Sequence, residues 1–329
     1  MEPLLIVSLL LGFVVTLFFT PIWIKKSKQI GLVWEDMHKI GHPKNVAGSG
    51  GIGVLFGFLI GVLFYIAVKT FYFKSLTDDI TIFALLTTIL IVSVIGFIDD
   101  LFGWRRGGLS IKSRLLLLVL AAIPLMVINA GESMMLGIEF GIIYPLILIP
   151  FGVVGASATY NFLAGYNGLE AGQGIIILTG LAYVLFKTGS PTLALISLVM
   201  VACLIAFYLF NKLPARVFPG DVLTYAVGAM IAIDAILGNI EKIAVFFFIP
   251  YIIETILKSR GGLKKQSILK LNEDGSLDQP YPKWYGLGHI AVAVLKRIKK
   301  NGKAYERDIV YLINGFQILI ILIGIFIVL

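Results

Sequence analysis

Ile80-Thr-Ile-Phe-Ala-Leu-Leu-Thr-Thr-Ile-Leu-Ile-Val-Ser-Val-Ile-Gly-Phe-Ile98, closed at once by Asp99-Asp100, decides how this chain is read. The run carries no charge and is long enough to cross a bilayer, which takes roughly 20 apolar residues in a helix. Two adjacent carboxylates at its end are costly beside hydrocarbon and are retained where they serve a function. Working outward, similar runs recur at 4–24, 51–68, 114–130, 141–158, 172–187, 191–210, 222–238, 241–257 and 308–328. The expectation is an all-α polytopic membrane helix bundle of about ten spans. A β-barrel is excluded because the runs are continuous instead of alternating.

Composition agrees. Of 329 residues, 58% are hydrophobic and 14% charged, and the mean hydropathy is +0.96; a soluble domain carries nearer to about 25% charged residues. The length suits a single integral membrane domain over 1–329. The lone Cys203 excludes a disulfide framework and zinc–thiolate chemistry, and three scattered histidines make no metal site. Residues 4–24 are followed by Lys25, Lys26 and Lys28 with no small-residue cleavage motif, so they read as a retained span instead of a signal peptide.

Charge sets the orientation. The loops 25–50, 99–114, 158–171, 211–221 and 258–307 hold five, four, none, two and twelve Lys and Arg, 23 of the chain's 27. The positive-inside rule places them in the cytoplasm and both termini outside. The net charge of +8 is thus a topology signal and a field for anionic substrates or lipid headgroups, not a nucleic-acid signature. Within 258–307, Asp274-Gly275 reads as a hairpin turn and 286–300 as an amphipathic helix on the membrane surface.

Two further polar clusters fall on the same side: Asn161-Phe-Leu-Ala-Gly-Tyr-Asn167-Gly-Leu-Glu170 and Arg216-Val-Phe-Pro-Gly-Asp221. Carboxylates and amide oxygens suit Mg²⁺, while Lys and Arg suit phosphate. An aromatic, Phe218, beside an acid and a base suits a stacking pocket next to a metal. Glycines at 165, 168 and 172 allow close backbone approach. Taken singly, each cluster has an ordinary reading: a solvated helix end, a cap at Asp221, a polar loop. Gly48-Ser-Gly-Gly-Ile-Gly53 imitates a dinucleotide fingerprint, but no strand precedes it; Gly53 and Gly57 read as a close helix contact.

These motifs resemble one family. Asn161 to Gln173 and Arg216 to Asp221 are similar to signatures of the dolichyl-phosphate N-acetylglucosamine-1-phosphate transferases. The Asp99-Asp100 pair is shared across the wider polyprenyl-phosphate N-acetylhexosamine-1-phosphate transferases, glycosyltransferase family 4. The resemblance implies transfer of a sugar-1-phosphate from a UDP-sugar to a polyprenyl or dolichyl phosphate, with release of UMP. It implies Mg²⁺, with Mn²⁺ as a substitute, held by Asn161 and Asp221. Gly165 and Phe218 are implied to sandwich the uracil, Asn167 to hydrogen-bond it and the Met37 backbone to meet it. Lys112 is implied to contact phosphate, with Arg105 or Arg106 sharing the task. Asp99 is implied to orient the lipid phosphate, with base function left open, and Asp100 to support it. Lys39, Glu170 and Arg216 are expected among the substrate-binding residues.

One departure is clear. Where the dolichol-type enzymes carry an Arg-His-Arg cluster, this chain reads Arg260-Gly-Gly-Leu-Lys-Lys-Gln-Ser267. Arg260, Lys264 and Lys265 are the substitutes on offer, and the sugar stays open between N-acetylglucosamine, the first expectation, and a modified N-acetylhexosamine. The same chemistry on undecaprenyl phosphate is the alternative within the family. An ion-coupled transporter is the alternative outside it, disfavoured because transport places polar groups at mid-membrane. A homodimer is compatible with such a bundle, and no motif specifies one.

Overall fold

The computed structural model describes residues 3–75, 77, 79–135, 138–265 and 267–328. Its helices are α1 (Pro3–Ile30), α2 (Gly51–Ala67, running on as a π turn over Val68–Tyr72), α3 (Asp79–Arg106), α4 (Ile111–Ala121), α5 (Ile123–Val127), α6 (Ile149–Tyr160), α7 (Leu169–Lys187), α8 (Pro191–Asn211), α9 (Asp221–Leu237), α10 (Glu241–Phe247), α11 (Ile249–Ser259), α12 (Leu287–Ile298) and α13 (Glu306–Val328). A π turn (Tyr144–Leu148) leads into α6 and a 3₁₀ turn (Asn161–Leu163) leaves it. Three two-stranded antiparallel ribbons complete the description: β1 (Val33–Trp34) with β2 (Val46–Ala47), β3 (Met134–Met135) with β4 (Ile138–Glu139), and β5 (Lys270–Leu271) with β6 (Leu277–Asp278).

Among the described residues, seven helical stretches are long and apolar enough to cross a membrane: Ile6–Ile30, Gly51–Tyr72, Asp79–Trp104, Tyr144–Leu163, Leu169–Lys187, Pro191–Asn211 and Glu306–Ile327. The other three expected runs take different forms. Residues 114–130 become α4 and α5, parted where Pro124 forces a new start. Residues 241–257 become α10 and α11, parted at Phe248 just before Pro250. Residues 222–238 form the short α9, in which every residue from Val222 to Ile236 is buried. That helix is the axis of the bundle, packed chiefly on α3 and α6. Outer faces are apolar, with Phe18, Phe151, Leu322 and Phe326 all exposed, as a lipid-facing surface requires. Gly57 of α2 lies so close to α1 that a Cβ would sit 2.0 Å from Thr16 Oγ1, which accounts for glycine there.

The polar connections 31–50, 107–110, 161–168, 212–220 and 260–305 gather at one end of the bundle. The glycine run closes that end: Gly50 and Gly51 N–H donate to the carbonyls of Phe218 and Pro219 at 2.9 Å each, and Phe218 N–H donates to Ala47 O at 2.8 Å. A hairpin turns at Gly275 (φ +78°), and Ser276 N–H donates to Asp274 Oδ1 at 3.0 Å. Helix α12 buries Leu287, Ala291 and Val292 and packs on α11 and α13. The opposite end is fastened by Tyr144 to Glu241 at 2.6 Å and Glu132 N–H to Asn239 at 2.7 Å.

Candidate active site

Helix α3 does not stop at Asp99-Asp100 but runs about two more turns, so the two carboxylates are helical neighbours that point roughly 100° apart. Asp99 is 2% exposed and fully engaged. Its Oδ1 accepts from Leu109 N–H at 2.8 Å. Its Oδ2 accepts from the Tyr225 hydroxyl at 3.0 Å and meets Arg114 Nε at 2.6 Å. Asp100 faces the other way. Its Oδ1 accepts from the Asp221 backbone N–H at 2.8 Å and so caps α9, where the helix dipole favours an anion. Its Oδ2 is buried with no hydrogen-bond partner among the described residues. Gly96 lets α3 and α9 come this close, since a Cβ there would lie 2.4 Å from the Asp221 carbonyl.

Asp221 in turn accepts from Asn161 Nδ2 at 2.9 Å. Asp100, Asn161 and Asp221 thus converge from α3, the end of α6 and the start of α9 on one cavity of about 500 Å³. Met37, Gly165, Asn167, Glu170 and Phe218 also line it, together with Trp34, Glu35, Asp36 and His38. Its walls carry more acid than base. Among the described residues no three His, Cys, Asp or Glu form a metal cluster; the donor set is two carboxylates and one amide. That set, with an unsatisfied buried carboxylate oxygen, fits Mg²⁺, which takes one or two carboxylates and fills its remaining positions with substrate phosphate and water.

The far side of the cavity is more heavily cross-bonded, although Glu170 Oε2 is buried there with no hydrogen-bond partner among the described residues. Asn167 Nδ2 donates to Asp36 Oδ2 at 2.9 Å and its backbone N–H donates to Glu306 Oε1 at 2.7 Å. Lys39 pairs with the other Glu306 oxygen and lies 3.8 Å from Asp36. His38 stacks on Tyr166, ring centroids 4.9 Å apart, and its Nε2 accepts from Leu269 N–H at 3.2 Å. Burial pushes the His38 imidazole down to about 4, so it is neutral at ordinary pH. The Tyr166 hydroxyl donates to Ser267 O at 3.1 Å, which draws the segment around Ile268 over the cavity. Glu170 shapes the connection 164–168: its Oε1 accepts from Gly165 N–H at 2.9 Å.

Several expected residues sit elsewhere. Lys112 is exposed on the first turn of α4, two residues from Arg114 and so on nearly the opposite helix face; Arg114 is the one that meets Asp99. The side chains of Arg105 and Arg106 lie outside the described ones. Arg216 is exposed over the Phe210 ring, at 5.3 Å, and does not line the cavity. Arg260 and Lys264 are exposed, and Lys265 lies over Tyr281 at 4.9 Å; none of the three reaches the cavity wall. Lys39 is held in its ion pairs behind that wall. Sequence reading missed Tyr225 and Glu306 altogether. Glu306 opens the last span beside Asp308, the sort of acidic boundary that singled out Asp99; Tyr225 carried no signal, being one aromatic in an apolar run.

Residues 82–239 match the model of glycosyl transferase family 4. A protein of Saccharolobus solfataricus bearing the name UDP-N-acetylglucosamine–dolichyl-phosphate N-acetylglucosaminephosphotransferase is 32% identical over 95% of this chain and 93% of its own length. A protein of the same name from Sulfolobus acidocaldarius is 32% identical over 96% and 93%. The phospho-N-acetylmuramoyl-pentapeptide-transferase of Halalkalibacterium halodurans is 30% identical over 78% of this chain and 82% of its own.

Proposed function

The chain belongs to glycosyl transferase family 4, and from that premise we propose that it transfers a hexosamine-1-phosphate, N-acetylglucosamine-1-phosphate first among them, from a UDP-sugar to a polyprenyl phosphate of the dolichyl type. The observation that carries the reading is the meeting of Asp100, Asn161 and Asp221 on one cavity at the end of a membrane bundle. The relatives' names, a UDP-sugar donor in two and a sugar-phosphate transfer in the third, point the same way.

In this reaction an oxygen of the lipid phosphate attacks the sugar-bearing phosphorus, the bond bridging the two phosphorus atoms breaks, and UMP leaves. Such transfer is mostly positioning and charge neutralisation. An acid-lined cavity takes an anionic diphosphate only with a cation between them, and Asp100, Asn161 and Asp221 are the residues that would hold Mg²⁺ or Mn²⁺. Bound there, the cation supplies neutralisation of the diphosphate oxygens. The lipid phosphate is already largely ionised, its second pKa being about 6, so no strong base is needed. Asp99, saturated by Arg114, Tyr225 and Leu109, holds the frame; Asp100, with its bare oxygen, is the carboxylate that faces the reactants.

A second cavity of about 440 Å³ runs between α6, α9, α10 and α11, from Thr159 near the site to Tyr144 and Glu241 at the opposite end. Phe151, Ile231, Val245 and Ile256 make its wall apolar, which suits a prenyl tail lying along the bundle. The distribution of Lys and Arg supports the site end facing the cytoplasm and both termini facing out. The deciding experiment uses the purified protein in detergent with Mg²⁺, dolichyl or undecaprenyl phosphate and a panel of UDP-N-acetylhexosamines. UMP release that requires both lipid and cation establishes the reading, and the best donor names the sugar. Folded protein that releases no UMP with any pair overturns it.

A further inference from the structure

The apolar cavity and the site cavity meet at a seam. Thr159 of α6 and Thr255 of α11 line the apolar cavity toward its site end. Asn161, two residues beyond Thr159, lines the site cavity. An acceptor with its tail in the first and its phosphate in the second crosses between them. That phosphate is a monoester carrying about −1.5 to −2 charges at neutral pH. Among the described residues no Lys or Arg lines either cavity, and Asp100 and Asp221 repel an incoming anion. Lys112, the cation expected for a phosphate, points to solvent.

Lys258 stands at the seam. It lies one helical turn past Thr255 on α11, and its Nζ sits over the Phe162 ring, 5.2 Å from the centroid. Phe162 follows Asn161 directly and lies about one turn past Thr159. Both walls of the apolar cavity thus continue into this lysine and this ring. The Lys258 side chain is only 17% exposed. Its nearest carboxylate oxygen, Glu254 Oε1, is 3.8 Å away, beyond hydrogen-bond reach. Glu254 is already taken up by Leu287 N–H at 2.6 Å and the Ser267 hydroxyl at 3.2 Å. An ammonium has three N–H groups to donate, and a sheltered one gains from an anion that accepts them.

We propose, resting on the transferase reading, that Lys258 binds the phosphate of the acceptor where the two cavities meet, and so makes the protein select a prenyl phosphate over the bare prenyl alcohol. The donor's diphosphate belongs to the carboxylate end; Lys258 serves the other reactant and offsets the repulsion that its phosphate meets from Asp100 and Asp221.

Lys258→Met removes the charge at similar length, and Lys258→Arg keeps the charge. Glu254→Gln combined with Lys258→Met removes both charges and reads the same ratio should the single variant fail to fold. The measurement is titration calorimetry of the full chain in detergent with Mg²⁺, using farnesyl phosphate, farnesol and UDP, alongside KM for each substrate. Wild type is expected to prefer the phosphate to the alcohol, Lys258→Met to cut that preference about tenfold and Lys258→Arg to stay within about threefold of wild type. KM for the prenyl phosphate is expected to rise in step in Lys258→Met, while KM for the UDP-sugar and the affinity for UDP stay within about twofold. A merely structural lysine would not split the two substrates. A Lys258→Met protein that keeps the wild-type preference overturns the assignment and leaves the transferase reading standing. Equal weakening of UDP and farnesyl phosphate overturns it as well. Wild-type protein that shows no preference for the phosphate yet releases UMP overturns the seam site alone; without UMP release the transferase reading falls with it.

Discussion

The two sides of the site cavity are built on opposite principles. On the carboxylate side, Asp100 keeps a buried oxygen with no hydrogen-bond partner among the described residues, and Asp221 accepts from the Asn161 amide. On the amide side, Asp36, Lys39, Asn167 and Glu306 satisfy one another. An unsatisfied buried carboxylate is costly, and a folded chain retains one where a ligand completes it. A satisfied network costs little and fixes geometry instead. One side is thus left open for charge to arrive, and the other is held in a largely fixed geometry.

The largest test of this contrast falls on the open side. Asp221→Ala removes a carboxylate that the cavity shares with Asn161, and UMP release is expected to fall by about 10³-fold or more with the protein still folded. Retained UMP release in that variant would mean that the open side is not where the diphosphate sits.

The adjacent acids sharpen the comparison within one helix turn. Asp100→Asn keeps a group able to accept from the Asp221 N–H but removes the bare negative oxygen, so kcat is expected to drop by about 10²-fold with little change in thermal midpoint. Asp99→Asn breaks the contact with Arg114 and weakens that with Tyr225, leaving a half-buried guanidinium unpaired; about 3 kcal/mol of stability is expected to go, seen as a lower unfolding temperature in detergent. A reversal, with Asp99→Asn folded but inactive and Asp100→Asn active, would exchange the two roles.

A weaker effect belongs to the closed side. His38 is neutral in the folded protein, with its imidazole pushed down to about 4 from an ordinary 6.5. Above pH 6.5 neither state carries the proton and stability is flat. Between pH 6.5 and 4 the unfolded chain takes a proton that the folded one refuses, so stability falls as pH falls, by up to about 3 kcal/mol. A His38→Ala variant is expected to show a shallower fall over that window in thermal unfolding scans, although it starts lower for loss of the Tyr166 stack. Identical slopes would mean that the ring is not held neutral.

What the sequence made legible follows a physical line. Apolar runs and charge alternation are local, so the membrane bundle and the end that gathers the polar loops could be read directly. Asp99-Asp100, Asn161 and Asp221 stood out because polar groups beside hydrocarbon are anomalous wherever they occur. Pairings were hidden when they joined distant segments: Asp36 to Asn167, Lys39 to Glu306, Tyr225 to Asp99. Nothing in a tyrosine within α9 announces that a carboxylate lies across from it. The breaks at Pro124 and Pro250 were visible as residues, but an apolar count passes over them, and two expected spans became pairs of short helices.

The smallest expected effect settles a question of helix phase. Lys112 and Arg114 differ by two residues, about 200° around α4, so they cannot both face α3. Ser110 fixes where that helix starts by accepting from Ser113 N–H at 3.1 Å, and this start turns Arg114 inward onto Asp99 and Lys112 out to solvent. Lys112→Ala is therefore expected to change UMP release by no more than about twofold, because an exposed surface charge contributes little. Arg114→Ala leaves the buried Asp99 without its cation and is expected to lose both stability and rate. Were Lys112→Ala the more damaging of the two, α4 would have to sit in a different register against α3, and the division of labour between Asp99 and Asp100 would fall with it.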